Sequence, residues 1–535
     1  MGTEAIDGEA GTGPAAASGA PRIADLVQTA AARQPEAPAL VVTGDRIRIG
    51  YRDLVRVVDD LAGRLRAAGL AAGDRVALRA GSNAEFVVGL LAASRAELIA
   101  VPLDPALPVA EQRRRSEAVG ARVVLVDGDV PDERDPAPGW WPIAVTIGSD
   151  GGPAVGLDVA TTPPAGSPAP EGLRSDDAMI MFTGGTTGVP KMVPWTNANL
   201  AASVRAIVAG YSLGPDDATV AVMPLYHGHG LLAALLATLA SGGAVLLPAR
   251  GRFSAHTFWD DIAAVGATWY TAVPTIHQIL LERAKTDRCR ADRATTPPAA
   301  LRFIRSCSAP LTPETAQALH DTFSAPVVCA FGMTEATHQV SSTGIDQREN
   351  PAETPGLVGR STGPDIRIAG PDGGPLAAGA VGEIWLRGST VVRGYLGDPA
   401  ITAANFTDGW LRTGDLGSLS AAGDLSIRGR IKELINRGGE KISPERVEAV
   451  LAGHPGVLEV AVFGMPDTLY GETVAAVIVP RESAAPTPDE LLAFCRRRLA
   501  PFEMPSTFQE ADELPHTAKG SLDRRAVAAR FGTTG

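Results

Sequence analysis

The chain has 535 residues, too many for a single hydrophobic core, so two or more domains are expected. Apolar residues make up 45% and charged residues 20%, proportions that are ordinary for a globular protein. The net charge of −12 argues against a nucleic-acid partner, because such proteins usually carry a basic face.

Residues 1–22 are rich in glycine and alanine, and we expect a disordered tail there. They lack the basic start and the unbroken apolar run of a secretory signal. The most apolar stretch, LLAALLATLASGGAVLLPA at 231–249, is interrupted by Ser241-Gly242-Gly243. This pattern predicts a buried helix, a turn and a strand, and no membrane span. The cysteines form no CxxC pair, so neither a zinc site nor a disulfide framework is predicted, and a cytoplasmic location is expected.

Helix and strand signals alternate from Ile23 to about Asp127. The stretch YRDLVRVVDDLAGRLRAAGL at 51–70 has apolar residues at helical spacing, and AGDRVALRAG at 72–81 is typical of a turn and a strand. Residues 128–175 are rich in Pro, Gly and Asp, which predicts an irregular surface excursion. The alternation resumes at 176 and continues to about 340. It predicts an α/β fold with a largely parallel sheet.

Strand and turn signals dominate between 351 and 430, which predicts a small β-barrel-like part. After Arg430 the pattern indicates a compact α+β unit. We therefore predict a domain boundary near Lys432, with a large domain over 23–431 and a small domain over 432–535.

A loop suited to phosphate lies within MIMFTGGTTGVPKMVPWT at 179–196. Its glycines let the backbone turn tightly and aim N–H groups at an anion, while threonine hydroxyls and Lys191 add donors and charge. Val189-Pro190 separates Gly188 from the lysine, so this is not a Walker A loop. A flexible surface loop is the alternative interpretation.

This loop resembles that of the adenylate-forming enzymes, a superfamily of acyl-CoA synthetases, luciferases and peptide-synthetase adenylation domains. Four further motifs follow in the family's order: MPLYHGHG, FGMTEA, WLRTGDLG and IRGRIKELINRGGEKISP. The resemblance covers about residues 23–530. It implies a ligase that uses ATP to form an acyl-adenylate and then an acyl-CoA thioester, releasing pyrophosphate and AMP. A peptide-synthetase-type activating domain and an inactive nucleotide-binding homologue remain alternatives.

The resemblance also implies residue roles. Lys432 would be the hinge about which the small domain moves, and Glu335 would help to hold Mg²⁺. The implied catalytic residues are His227, Thr334, Glu335 and Lys519. The implied nucleotide-binding residues are Thr183, Gly184, Gly185, Thr186, Thr187, Gly188, Lys191, Ser308, Ala309, Pro310, Phe331, Gly332, Met333, Thr334, Asp415 and Arg430. The implied CoA-binding residues are Arg437, Gly438, Gly439 and Lys441.

Four stretches resemble oxalate–CoA ligases within this superfamily: 251–283, 301–314, 333–342 and 429–444. Oxalate is a small dianion, and its non-reacting carboxylate must meet cations or hydrogen-bond donors. The candidates are His227, His229, Ser306, Ser308 and His338, while Arg305 is expected to be a structural ion-pair partner. The alternative substrate is a short or medium fatty acid.

The closing motif departs from the family pattern P-x-T-x-x-G-K. In PHTAKGS at 515–521, Ser521 occupies the position of the usual lysine, and Lys519 precedes it by two residues. If the segment is extended, these two side chains point the same way, about 6–7 Å apart along the chain. We predict that Lys519 performs the lysine's role; an impaired site is the alternative.

Overall fold

A computed structural model describes residues 19–42, 47–128, 139–147, 152–159, 168–183, 190–289, 301–346, 350–481, 485–517 and 522–532. Most of the predicted tail therefore lies outside the described residues, and the first helix begins at Ile23. The α-helices are α1 Ile23–Arg33, α2 Tyr51–Ala67, α3 Ala84–Arg95, α4 Val109–Ala118, α5 Asn197–Gly210, α6 Ala237–Ser241, α7 Phe258–Val265, α8 Pro274–Cys289, α9 Pro313–Phe323, α10 Pro399–Asn405, α11 Pro444–Ala452, α12 Pro488–Arg496 and α13 Arg524–Phe531.

The strands in the large region are β1 Pro38–Val42, β2 Ile47–Gly50, β3 Arg75–Arg79, β4 Ile99–Leu103, β5 Ala121–Asp127, β6 Gly139–Ile147, β7 Pro153–Leu157, β8 Asp177–Thr183, β9 Lys191–Thr196, β10 Ala218–Val220, β11 Ala244–Leu246, β12 Trp269–Ala272, β13 Phe303–Ser306, β14 Val327–Met333, β15 His338–Ser342, β16 Leu357–Ser361, β17 Asp365–Ala369, β18 Gly382–Arg387, β19 Phe406–Thr407, β20 Trp410–Leu419 and β21 Leu425–Arg430. Those in the small region are β22 Ile435–Arg437, β23 Glu440–Ile442, β24 Val457–Asp467, β25 Gly471–Pro480 and β26 Thr507–Glu510.

Two large sheets organise the N-terminal region. One has the order β7-β6-β5-β3-β4-β8-β9, with parallel strands inside and antiparallel strands at both ends. The other begins with parallel β12, β13 and β14 and continues through antiparallel strands as far as β17. The strand-rich region after residue 351 supplies most of that antiparallel part. The predicted α/β fold with a largely parallel core is confirmed.

The core lies between helices and sheet, as the apolar spacing predicts. In α2, Leu54, Leu61 and Leu65 are fully buried and lie along one face of the helix. The stretch around 231–249 forms a buried π-helix over His229–Leu236, then α6, then a turn at Gly242 with φ of 95°, then β11. Within the described ranges, no helix has both the length and the apolar character needed to cross a membrane.

One sequence prediction was wrong. Between 128 and 175, where we expected an irregular excursion, β6 and β7 extend the first sheet at its edge. Trp141 is fully buried there, and Trp140 nearly so. The short apolar run was not recognised as a strand because Pro and Gly flank it. Local composition does not show whether a neighbouring strand is available for pairing.

A separate five-stranded sheet forms the C-terminal region, with α11, α12 and α13 packed around it. The chain passes from the second large sheet to the five-stranded sheet between Arg430, which ends β21, and Ile435, which begins β22. A single 3-10 turn, Ile431–Glu433, joins them. The boundary at Lys432 falls in this turn and stays a prediction.

Candidate active site

Lys191 lies at the base of the predicted phosphate loop. It begins β9 and pairs in register with Thr183, the last residue of β8; residues 184–189 between Thr183 and Pro190 lie outside the described residues. Its ammonium nitrogen is 3.4 Å from the Asn405 side-chain oxygen and 4.4 Å from the centroid of the Tyr395 ring. Burial lowers the pKa of Lys191, and the nearby Glu335 carboxylate opposes that shift.

Glu335 lies beside this lysine in a 3-10 turn that follows β14. Its side chain is buried and accepts a 2.9 Å hydrogen bond from the Tyr395 hydroxyl. The Trp195 indole N–H donates to the backbone oxygen of Thr334 at 2.8 Å. These contacts hold the turn at the end of β9. In the described part of the chain, no group of three or more His, Cys, Asp or Glu side chains is placed to hold a metal ion.

Close strand packing explains the glycine that precedes this turn. A Cβ on Gly332 would stand 1.7 Å from the backbone oxygen of His338, so β14 and β15 pair here only because residue 332 has no side chain. Phe331, Gly332 and Met333 are all half-buried at the end of β14. Ser308, Ala309 and Pro310 follow β13 and are exposed or half-buried.

Asp415 and Arg430 form a pair on neighbouring strands. They are register partners in β20 and β21, and the Arg430 Nε–H donates to Asp415 Oδ1 at 3.0 Å. Burial raises the pKa of Asp415 to about 6, while Arg430 opposes that shift. The pair thus holds a carboxylate in a sheltered position, where a hydroxyl-bearing ligand can be received.

The predicted hinge lies next to this pair. Lys432 is exposed, yet it is close enough to Lys191 for its charge to lower the pKa of that lysine. Its neighbour Glu433 forms an ion pair with Arg524 at the start of α13, and Arg524 also donates to Glu448 at 2.7 Å. The turn at the boundary is therefore tied through Glu433 to the C-terminal region.

Two histidines from different parts of the chain meet between β12, β13 and β15. The rings of His229 and His338 stack with centroids 5.3 Å apart. His229 Nδ1 is 3.0 Å from the Ser308 hydroxyl oxygen, and Nε2 is 2.6 Å from that of Thr271. Burial, with the charge of Arg305, lowers the pKa of both histidines well below the usual range. Both rings are therefore neutral at physiological pH and interact through hydrogen bonds.

Arg305 lies directly behind these rings, and its surroundings differ from the expected ones. It is fully buried on β13. Its guanidinium donates to the Tyr211 hydroxyl at 2.9 Å, the Thr271 hydroxyl at 3.0 Å, His338 Nε2 at 3.2 Å and the Gln339 side-chain oxygen at 2.9 Å. The expectation of a structural ion-pair partner was wrong, since none of these groups is a carboxylate.

Ser306 is a second correction. It follows Arg305 in β13, and adjacent strand residues point to opposite faces of a sheet. Its hydroxyl is buried with no hydrogen-bond partner. The structure therefore does not bring Ser306 together with His229 and His338, because the strand direction turns its side chain away from them.

His227 stands beside the histidine pair rather than within it. It is half-buried, and its ring meets the Tyr226 ring edge-on at 4.9 Å. The next residue, Gly228, packs against His338 and Trp195; a Cβ there would lie 3.3 Å from each of these side chains.

The predicted CoA residues lie on the small sheet. Arg437 ends β22, and its guanidinium donates to the Phe502 backbone oxygen at 2.9 Å. The two-residue turn Gly438-Gly439 has positive φ at both positions, which favours glycine. Lys441 is exposed on β23.

Lys519 lies outside the described residues, as does Ser521, but the residues that flank them are described. His516 and Leu522 form an antiparallel bridge, and the Asp523 N–H donates to the Pro515 oxygen at 2.9 Å. The two ends of the segment therefore lie side by side, and Lys519 is midway between 516 and 522 in sequence.

Several residues of this site were missed by sequence reasoning, and no local signal marks them. Tyr395 is the clearest example, because it lies outside every recognised motif. Thr271 and Gln339 can be recognised only from the structure, in which Thr271 is the register partner of Arg305 and the Gln339 side-chain oxygen accepts a hydrogen bond from it.

Known protein families, relatives and solved structures resemble this chain over most of its length. The family model for AMP-binding enzymes matches residues 27–396, and the model for the AMP-binding enzyme C-terminal domain matches 446–521. An oxalate–CoA ligase from Arabidopsis thaliana is 41% identical, covering 95% of this chain and 98% of that protein. A sulfoacetate–CoA ligase from Cupriavidus necator is 35% identical, covering 94% and 96%. The crystal structure of ATP-bound MatB from Rhodopseudomonas palustris matches with a TM-score of 0.80 and 28% identity, covering 95% and 99%.

Proposed function

The chain belongs to the AMP-binding enzyme family and is an AMP-forming acid–CoA ligase, and on this basis we propose that its acid substrate is oxalate. The observation that carries the proposal is the cluster of His229, His338 and Ser308, which offers polar groups to a small acid. A fatty acid would need an apolar tunnel at this place. The similarity to an oxalate–CoA ligase over nearly the whole chain supports the same substrate.

The nucleotide is proposed to lie across the ends of β8, β14 and β21. Lys191 would face the phosphates, and Asp415 with Arg430 would bind the ribose hydroxyls. Glu335 is a single buried carboxylate, which suits Mg²⁺, because this ion is commonly held by one or two carboxylates together with substrate phosphates. Glu335 would hold the ion, and the bound ion would neutralise phosphate charge.

The reaction needs two anions to approach each other. A carboxylate oxygen of the acid attacks the α-phosphorus of ATP, and pyrophosphate leaves, giving an acyl-adenylate. The thiol of CoA then attacks the acyl carbon, loses its proton, and AMP leaves. The main task of the protein is to align the anions and to offset their charge. Lys191 is proposed for this task, and the contacts of its ammonium with Asn405 and the face of Tyr395 support the proposal.

Oxalate offers nothing apolar to bury, so its second carboxylate decides the fit. Arg305 can only donate, so His338 Nε2 must accept from it, and the proton of this neutral ring is on Nδ1. His338 Nδ1–H and the Ser308 hydroxyl are thus the proposed donors to the second carboxylate.

A panel of acids tests the substrate. We expect kcat/KM with ATP and CoA to be higher for oxalate than for malonate, sulfoacetate, acetate, octanoate or palmitate. The physical reason is that acetate, octanoate and palmitate have no second charged group to place at His338 and Ser308, while malonate and sulfoacetate have a methylene between their two charged groups and are longer than oxalate. Release of pyrophosphate gives the rate. A higher value for octanoate or palmitate would show that the oxalate assignment is wrong.

The hinge role of Lys432 also remains a proposal, and it predicts unequal effects on the two half-reactions. Lys432→Pro restricts φ within the 3-10 turn that joins the two sheets. Formation of oxalyl-adenylate should persist, while thioester formation should fall about tenfold or more, because the small domain must turn between the steps. Lys432→Ala is the control, since it removes the side chain without restricting φ. Equal loss of both half-reactions in Lys432→Pro would contradict a hinge.

A further inference from the structure

Arg305 carries a buried positive charge without a compensating negative one. Its side chain is fully buried, and the groups that it contacts are hydroxyls, an amide oxygen, a neutral imidazole and the Cys307 thiol, none of which is a carboxylate. In the described ranges, no Asp or Glu side chain lies within ion-pair distance of it. A buried charge is costly unless it is paired, so a site that keeps one is electrostatically prepared for an anion.

The Arg305 guanidinium also determines which ring nitrogens and hydroxyls carry a donatable proton beside the proposed acid site. Its NH2 group donates to His338 Nε2, which leaves the proton of that ring on Nδ1. Its NH1 group donates to the Thr271 hydroxyl oxygen, whose own proton is then free to be donated to His229 Nε2 at 2.6 Å.

A second series of hydrogen bonds connects Arg305 to the proposed acid site through Thr271, His229 and Ser308. Once His229 Nε2 accepts from Thr271, its Nδ1 carries the proton and donates to the Ser308 oxygen at 3.0 Å. The Ser308 hydroxyl proton is then directed outward, and Ser308 is exposed. Donors aligned in this way polarise one another, so the outermost donor is strengthened toward an anion.

We propose that Arg305 is a positioning and specificity-determining residue, whose uncompensated charge and two hydrogen-bond branches select an acid with a second negative group. Arg305 does not touch the acid: it acts through His338 on one branch and through Thr271, His229 and Ser308 on the other. This inference rests on the proposed binding of the acid at His338 and Ser308. A singly charged acid has no second negative group to place at these donors, so its binding gains nothing from Arg305.

Gln339→Glu tests whether the uncompensated charge of Arg305 contributes to selection of the acid. Glutamate keeps the acceptor that binds Arg305 at 2.9 Å and Tyr211 at 3.0 Å, but it adds the missing counter-ion. We expect kcat/KM for oxalate to fall about tenfold or more, while kcat/KM for butyrate stays within about twofold, because the field at the second carboxylate is cancelled. If Arg305 were only structural, the new ion pair would leave the ratio of kcat/KM for oxalate to kcat/KM for butyrate unchanged.

Thr271→Val tests the series of hydrogen bonds that leads from Arg305 through Thr271 to His229. Valine has nearly the same shape but cannot pass a hydrogen bond from Arg305 to His229. The oxalate-to-butyrate ratio should fall about ten- to a hundredfold, and Thr271→Ser should restore it. Thr219→Val is the matched control, because Thr219 is equally buried on nearby β10 and its hydroxyl has no hydrogen-bond partner. The control should leave the ratio unchanged.

The outcomes separate this inference from the proposed function. Wild-type preference for octanoate or butyrate over oxalate would overturn the substrate assignment and, with it, the selection by Arg305. If wild type prefers oxalate but both Gln339→Glu and Thr271→Val leave the ratio unchanged, or lower the two acids equally, the substrate stands and the role of Arg305 is wrong. Thermal unfolding and ATP binding of each variant show whether a loss reflects folding.

Discussion

Lys519→Ala is expected to lower oxalyl-adenylate formation by about 100- to 1,000-fold, the loss typical when a group that stabilises developing charge is removed. Attack of CoA on preformed oxalyl-adenylate should be spared, because that step does not bring the carboxylate to the α-phosphate. Lys519 is proposed for this role because Ser521 occupies the position where the family motif has its lysine.

The described residues on both sides of Lys519 are held in place by side-chain contacts. His516 and Leu522 are paired, and His516 Nε2 is 2.7 Å from the Glu459 carboxylate on β24. On the other side, Arg524 is held by Glu448 at 2.7 Å. Both ends of the segment are thus anchored to the small sheet and its helices, and Lys519 is central between them in sequence. The expectation that Lys519 and Ser521 lie in an extended strand concerns residues outside those described and stays a prediction.

Three variants measured in both half-reactions decide between relocation and impairment. Beside Lys519→Ala, they are Ser521→Lys and the double variant. Relocation predicts that wild type is active and that the double variant regains part of the adenylation lost in Lys519→Ala. An inactive wild type that Ser521→Lys alone activates would show that the site is impaired and that Lys519 has no such role.

Glu335→Gln is expected to lower adenylation about 100-fold and to raise the Mg²⁺ concentration needed for half-maximal rate. Glutamine keeps an oxygen that can accept from Tyr395, so the local structure should be retained while the charge is lost. The same change has a pH signature. The Glu335 charge opposes the lowering of the Lys191 pKa, so its removal lowers that pKa further. Since Lys191 is proposed to act in its charged form, the alkaline decline in rate should begin at a lower pH.

Tyr395→Phe serves as the control for this experiment. It removes the hydrogen bond to Glu335 but leaves the carboxylate and the aromatic face beneath Lys191. We expect a loss below about tenfold and an unchanged Mg²⁺ requirement. An equal effect of both variants on the Mg²⁺ requirement would argue against Glu335 as the metal-binding carboxylate.

The fold was largely predictable because its signals are local. Helical spacing in α2 and the break at Gly242 each follow from residues close in sequence, and both appear as predicted. The edge strands β6 and β7 were not predictable in this way, because a strand is stabilised by its neighbour and not by its own composition.

The sequence by itself determined the ordered motifs and, through their resemblance to the adenylate-forming enzymes, the class of reaction. It also placed His229, His338 and Ser308 among the candidates. Only the tertiary structure decided that Ser306 faces away and that Arg305 stands behind the histidines with no carboxylate of the described residues beside it. The physical reason is that strand register and sheet packing join residues far apart in the chain. Whether a buried charge is compensated depends on what those distant segments bring to it.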